Sequence, residues 1–170
     1  MNAVELLKQH STKKRDFSGV NLSTSNLNDV DLSQVDLTKA NLSGAQLKGA
    51  RLSGSELKDA NLVNADLSYA NLSNSNLEGV DLSGAILRGA NLRGANLRGA
   101  NLRNANLTYA NLTNSNLSSA ELKGTNIKGA IGLDAKVVPL LSGSRVNQSF
   151  STVKYSERFF DGSAKIYFTL

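Results

Sequence analysis

The sequence predicts an all-β fold, a polygonal solenoid of parallel strands over residues 17–131, with a short helix before it and a β-hairpin after it. Three observations predict this. From Phe17 to Ile127 an apolar residue stands at every fifth position, with a small or β-branched residue such as Ala40, Ala60, Ser75 or Val80 two places earlier; only Arg15, before Phe17, departs. A period of five suits neither regular element: on an α-helix it advances about 140° per step and spreads leucine over every side, and on a straight strand it alternates faces. The chain must therefore bend once per unit, so that units close into a coil whose turns stack. Finally, Asn64–Leu77 (NADLSYANLSNSNL) returns as Asn104–Leu117 (NANLTYANLTNSNL), forty residues on. Forty residues is two turns of four units and no whole number of three-unit turns, which favours a square cross-section.

The first element is a helix. Asn2 with Glu5 three residues later has the pattern of an N-cap and its capping-box partner, and Val4, Leu6 and Leu7 supply an apolar stripe ahead of Lys8 and His10. The open end of a stacked coil exposes strand edges and leucines, so residues 1–16 read as a helical cap on the first coil. Lys13-Lys14-Arg15 reads as a solvated linker, and the Phe17 ring as filling space under the lid.

The second element repeats a unit such as Ala90-Asn91-Leu92-Arg93-Gly94 without an insertion. This A(D/N)LXX unit resembles the pentapeptide repeat family, and the resemblance covers about two thirds of the chain. It implies a right-handed quadrilateral parallel β-helix of about six coils, with the central Leu or Phe and the small residue two before it inside. The short helical lid is similar to that of small cyanobacterial-type members. A narrow coil has no volume for two large side chains per unit, which accounts for the small inward residue. With no Trp and 5% aromatic residues, burial must come from leucine ladders, and outward asparagines can stack.

Charge distinguishes the walls. Arg88, Arg93, Arg98 and Arg103 hold one outward position in four consecutive units, one per wall, and no acidic residue lies between Asp81 and Glu121. They form a belt rather than the one-sided patch that DNA would favour, and read as a solubility feature or as a contact for an anion or acidic partner. One wall looks more specific. Tyr69 and Tyr109 share a column two turns apart, about 10 Å by strand spacing, with Gly49, Gly89 and Gly129 in the alternate turns and Lys48, Arg88 and Lys128 in the adjoining column. Interfaces favour tyrosine and arginine, and glycine between the rings is expected to leave grooves for a partner's side chains. The alternative is that each ring lies over its glycine neighbours and covers backbone.

The third element, 132–170, begins where Gly132 replaces the leucine of the repeat. Ala130-Ile131-Gly132-Leu133 resembles the usual exit of the family's arrays. Asp134–Val138 reads as one helical turn ended by Pro139. Asp161-Gly162 predicts a two-residue hairpin with Phe159 opposite Ala164, Glu157 opposite Ile166, Tyr155 opposite Phe168 and Val153 opposite Leu170. An isolated hairpin is marginal in water, so Val153, Tyr155, Phe159, Ile166, Phe168 and Leu170 are expected to cap the last coil or to form a dimer contact. The resemblance keeps the dimer open, since the family's DNA-mimicking members dimerise through C-terminal elements.

No chemistry emerges. There is no cysteine, hence no disulfide and no thiolate metal site. His10 is the one histidine and sits in the lid, the carboxylates are dispersed, and the glycine-rich units lack the Gly-Lys-Ser/Thr of a phosphate loop. No run approaches a signal core or a membrane span. The expectation is a cytoplasmic, non-enzymatic protein without cofactor or metal, a scaffold or regulatory module that shows a rigid surface to a protein partner, as monomer or as homodimer through its tail. The resemblance to cyanobacterial-type members implies a regulatory role, and the family also offers DNA mimicry against a topoisomerase such as gyrase. That activity calls for an acidic surface, against a net charge of +5 here. A basic nucleic-acid-binding module is the third reading and is disfavoured by the spread of the arginines.

Overall fold

The computed structural model describes residues 3–133, 155–158 and 164–166. Helix α1 (Ala3–Ser11) comes first, the coil occupies the stretch from Asp16 to Ile131, and strands β1 (Tyr155–Arg158) and β2 (Ala164–Ile166) pair antiparallel.

The coil is square. Parallel bridges join residues 20 apart in an unbroken series, Asp16 to Asp36, Asn21 to Asn41, and onward to Asn111 and Ile131, so four five-residue units complete one turn. No wall contains an extended strand: each unit contributes one bridging residue and then turns.

The accounting of backbone donors explains why the unit has five residues and why Asn or Asp precedes the leucine. In the unit Val20–Thr24 the Leu22 and Thr24 amides donate to Asn41 and Ser43 on the next turn, at 2.7 and 2.8 Å. The Asn41 amide donates back to Val20 at 2.8 Å, and at the corner the Ser25 amide donates to the Leu22 carbonyl at 3.2 Å. The remaining amide, Ser23, donates to the Asn21 side-chain oxygen at 3.1 Å. All five donors of the repeat are thereby satisfied, as buried backbone requires. Only a short side chain ending in an acceptor, Asn or Asp, reaches the amide two residues on.

The residue that closes each corner has positive φ, from 55° at Thr24 to 77° at Gly124. A turn with φ > 0 at its third position selects glycine or asparagine, which is why Gly recurs there.

Inside, Leu32 through Leu97 are completely buried, and Ala at the small inward position lies flat against them. Where that position is Ser55, Ser75 or Thr125, the hydroxyl donates to the carbonyl of Leu52, Leu72 or Leu102, so the buried polar group is satisfied.

Helix α1 lies against the start of the coil. Leu6 of α1 joins the core with 0% exposure, and the His10 ring lies 6.4 Å from that of Phe17. Lys13, Lys14 and Arg15 are exposed, as a solvated linker requires, and the Lys14 ammonium lies 5.5 Å from the Phe17 ring centre and donates to Gln9 Oε1 at 2.9 Å. Glu5 accepts from Gln9 Nε2 at 2.6 Å, while Asn2, its expected capping partner, lies outside the described residues.

The hairpin is present with a corrected register. Tyr155 pairs with Ile166, not Phe168, and Arg158 with Ala164, which takes the places assigned to Glu157 and Phe159. A two-residue turn at Asp161-Gly162 would dictate the expected register, and the observed pairs depart from it. A shift of register between Tyr155 and Arg158 has the character of a bulge. The expected cap or dimer contacts Val153, Phe159, Phe168 and Leu170, the Asp161-Gly162 turn and the turn over Asp134–Val138 lie outside the described residues. No helix among the described residues is long and apolar enough to cross a membrane.

Candidate partner-binding wall

The four walls differ in what they expose. One is formed by the units centred on Leu27, Leu47, Leu67, Leu87, Leu107 and Ile127, and it carries Tyr69 and Tyr109 with 54% and 59% of their surface exposed. Lys48, Arg88 and Lys128 are exposed on the same wall, and the Arg88 guanidinium lies 6.0 Å from the Tyr69 ring centre. The structure thus brings together the residues that the column spacing grouped.

The expected grooves are absent, because each ring is folded down onto the glycine of the following turn. A Cβ on Gly89 would lie 2.7 Å from the Tyr69 ring, and one on Gly129 would lie 2.5 Å from that of Tyr109. Asp29 covers Gly49 in the same manner. Glycine is needed beneath each ring, and the two rings cover the backbone of the turns that follow them, as the alternative reading has it.

Both tyrosines hold the corner position with φ of 60°, a conformation that bulky residues rarely adopt. Asn or Gly fills this position at less cost, and Thr24, Gln34 and Lys39 hold it elsewhere with φ of 55°, 57° and 57°.

Ile86 belongs to this site and was not singled out from the sequence. It is 41% exposed on the same wall, in the column otherwise held here by Asn26, Gln46, Asp66, Asn106 and Asn126. An aliphatic side chain cannot accept from the Arg88 amide as Asn106 does from that of Thr108 at 3.1 Å, so Ile86 forgoes the bond made in the Asn and Asp units and leaves apolar surface in water. The signal was legible: Ile86 and Ile131 are the two aliphatic residues at a position that is otherwise polar throughout the array.

The arginine belt is one per wall, but it is not unneutralised. Arg98 lies 3.6 Å from Glu78, which also faces Lys58 at 3.7 Å, and the Arg103 Nε lies 2.6 Å from Glu121. Neutralisation comes across turns rather than along the chain, since a residue's spatial neighbours are those about twenty positions away. Arg93 borders a shallow polar depression with Ser73, Asn74, Asn91, Gly94 and Asn114. Arg88 is the one member placed against an aromatic ring. Among the described residues no group of His, Asp and Glu has the proximity to hold a metal ion. His10 is engaged with Phe17, and its Nε2 is buried without a hydrogen-bond partner.

No curated protein matches the chain. Among solved structures, the pentapeptide repeat protein Rfr23 of the cyanobacterium Cyanothece 51142 is 37% identical, with 75% of this chain and 92% of that one covered and a TM-score of 0.43. The pentapeptide repeat protein alr5209 of Nostoc PCC 7120 is 30% identical over 84% and 93% of the two chains, with a TM-score of 0.40. QnrB1, a plasmid-mediated fluoroquinolone resistance protein, is 27% identical over 69% and 68%, with a TM-score of 0.46. The family described as Pentapeptide repeats (8 copies) matches residues 16–54, 55–94 and 95–131, the same stretch that the bridges close into a square coil. The chain belongs to the pentapeptide repeat family.

Proposed function

We propose that the protein is a non-enzymatic interaction module, a right-handed quadrilateral β-helix in the cytoplasm that offers one wall to a protein partner in a regulatory or scaffolding role. One observation carries this reading. Of the four large hydrophobic residues exposed among the described residues, Tyr69, Ile86 and Tyr109 share a wall, and Arg88 stands between them. Aromatic and arginine side chains in one cluster are the usual energetic centre of an interface. Ile86 also departs from the polar residues that hold the rest of its column.

The test is site-specific photo-crosslinking in native extract, from position 109 and from Lys39, exposed on the opposite wall. The expected result is a discrete adduct from 109 that disappears when Tyr69 and Arg88 are both changed to Ser, with none from 39. Equal adducts from both walls, or none from 109, overturn the reading. Nucleic-acid binding and gyrase mimicry draw less support, since two of the four belt arginines are paired with carboxylates and the net charge is +5. Retention of duplex DNA on a filter at low salt would bring the former back.

A further inference from the structure

The wall carries information about the shape of what binds it. Resting on the reading above, we infer that its partner presents an acidic amphipathic α-helix, laid along the coil axis with carboxylates repeating every two helical turns. Lys48, Arg88 and Lys128 occupy alternate turns of one column, and Tyr69 and Tyr109 the intervening turns of the next. At strand spacing each set repeats at about 10 Å. Residues seven apart on a helix repeat at about 10.5 Å, so acidic side chains at that interval meet successive cations while apolar ones between them rest on the rings and on Ile86.

Two other occupants fit less well. An extended strand repeats its same-side residues at about 6.6–6.8 Å, out of step with the wall. It also gains its affinity from backbone pairing, and most of the wall's amides are already engaged with neighbouring turns and side chains, as in Leu67 to Ile86 and Tyr69 to Arg88. A phosphate backbone would find single cations separated by aromatic rings rather than a continuous basic track. The covered glycines add to the case for a helix. With Tyr69 and Tyr109 folded over glycine there is no slot for a single inserted side chain, and rings laid down on the wall suit the ridge of a helix.

The experiment uses the full chain and synthetic helical peptides. One has Glu at positions i, i+7 and i+14 with Leu between them; a second has the same composition scrambled; a third carries Lys in place of Glu. Fluorescence anisotropy is expected to show the first binding at least about tenfold more tightly than the scrambled peptide, with a further loss of about tenfold in the Arg88→Glu variant. The variant with both Arg88→Glu and Lys128→Glu should instead prefer the Lys peptide, a gain that misfolding cannot produce. Equal binding of ordered and scrambled peptides, or binding indifferent to Arg88→Glu, overturns the inference. If crosslinking from position 109 persists while the Glu peptide fails to bind, the helix is wrong and the interaction wall stands. If both fail, both readings fall.

Discussion

At the scale of single residues, the corner position separates what the coil needs from what the wall displays. Gly89 has φ of 65° and lies under the Tyr69 ring, whereas Gly99, at φ of 66°, has open space where a Cβ would go. Alanine at Gly99 therefore pays only the left-handed backbone strain, about 1 kcal/mol, and alanine at Gly89 adds displacement of the ring, for a total of about 2–3 kcal/mol. Urea denaturation of the two variants checks the difference. Changing Tyr69 to Gly in the Gly89→Ala background should recover about 1 kcal/mol, and a double-mutant cycle without coupling would show that the ring does not rest there.

Acid sensitivity is also decided residue by residue. The Ser18 backbone amide and then its hydroxyl hold the Asp16 carboxyl below the usual aspartate range, and the Ser33 hydroxyl and amide, with Arg51 3.4 Å away, do so for Asp31. A folded-state value below the unfolded one means stability that is full above the ordinary aspartate value of about 3.9 and is lost as pH falls through the folded value. Asparagine serves in sibling units, as Asn21 does for Ser23, so a chain with Asp16→Asn and Asp31→Asn should lose less stability than the parent between about pH 6 and about pH 3. Urea midpoints at the two values decide it, and an unchanged pH dependence would discard this account.

Among the elements, α1 has the clearest energetic role, because it buries Leu6 on the first coil and brings His10 and Lys14 to Phe17. Leu6→Ala should cost about 2–4 kcal/mol if the lid closes the coil, with faster amide exchange confined to the turns nearest Phe17. Exchange accelerated equally as far as Leu112 would mean that the lid does not act locally. How legible each element was depended on how local its rule is. The square coil was readable because an invariant period and the copy from Asn64 at Asn104 both constrain the turn length, and the wall shared by Tyr69, Arg88 and Tyr109 followed from that arithmetic. The direction in which those rings fold was not readable, since nothing in the spacing tells a side chain to lie on the next turn rather than stand off the wall. Belt neutralisation by Glu78 and Glu121 escaped for a related reason: proximity was judged along the chain, while the coil makes neighbours of residues about twenty apart. The hairpin register was not readable from the turn residues alone, because an irregularity between Tyr155 and Arg158 shifts the pairing that a regular ladder would give.

Over the whole molecule, the coil is a one-dimensional stack. Every bridge and nearly every inter-turn hydrogen bond joins a residue to one about twenty positions away, so each turn touches only the turns before and after it. Stability in such an array is close to a sum of turn and interface contributions, without a single central core whose loss unfolds everything. A central rung serves two interfaces and a terminal rung one. Leu77, fully buried in the middle, and Leu117, 4% exposed near the end, hold the same position on the same wall. Leu77→Ala is expected to cost about 3–5 kcal/mol and to accelerate amide exchange on both sides of the cavity, with Leu57 and Leu97 affected first. Leu117→Ala should cost about 2 kcal/mol less and speed exchange toward Ile131 while the turns around Leu37 keep their protection. Equal costs with uniform loss of protection would instead make the coil one cooperative unit. The distinction bears on the binding wall. Because Tyr69, Ile86 and Arg88 sit mid-stack, with turns on both sides, fraying at either end leaves them in register, and the spacing offered to a partner stays fixed.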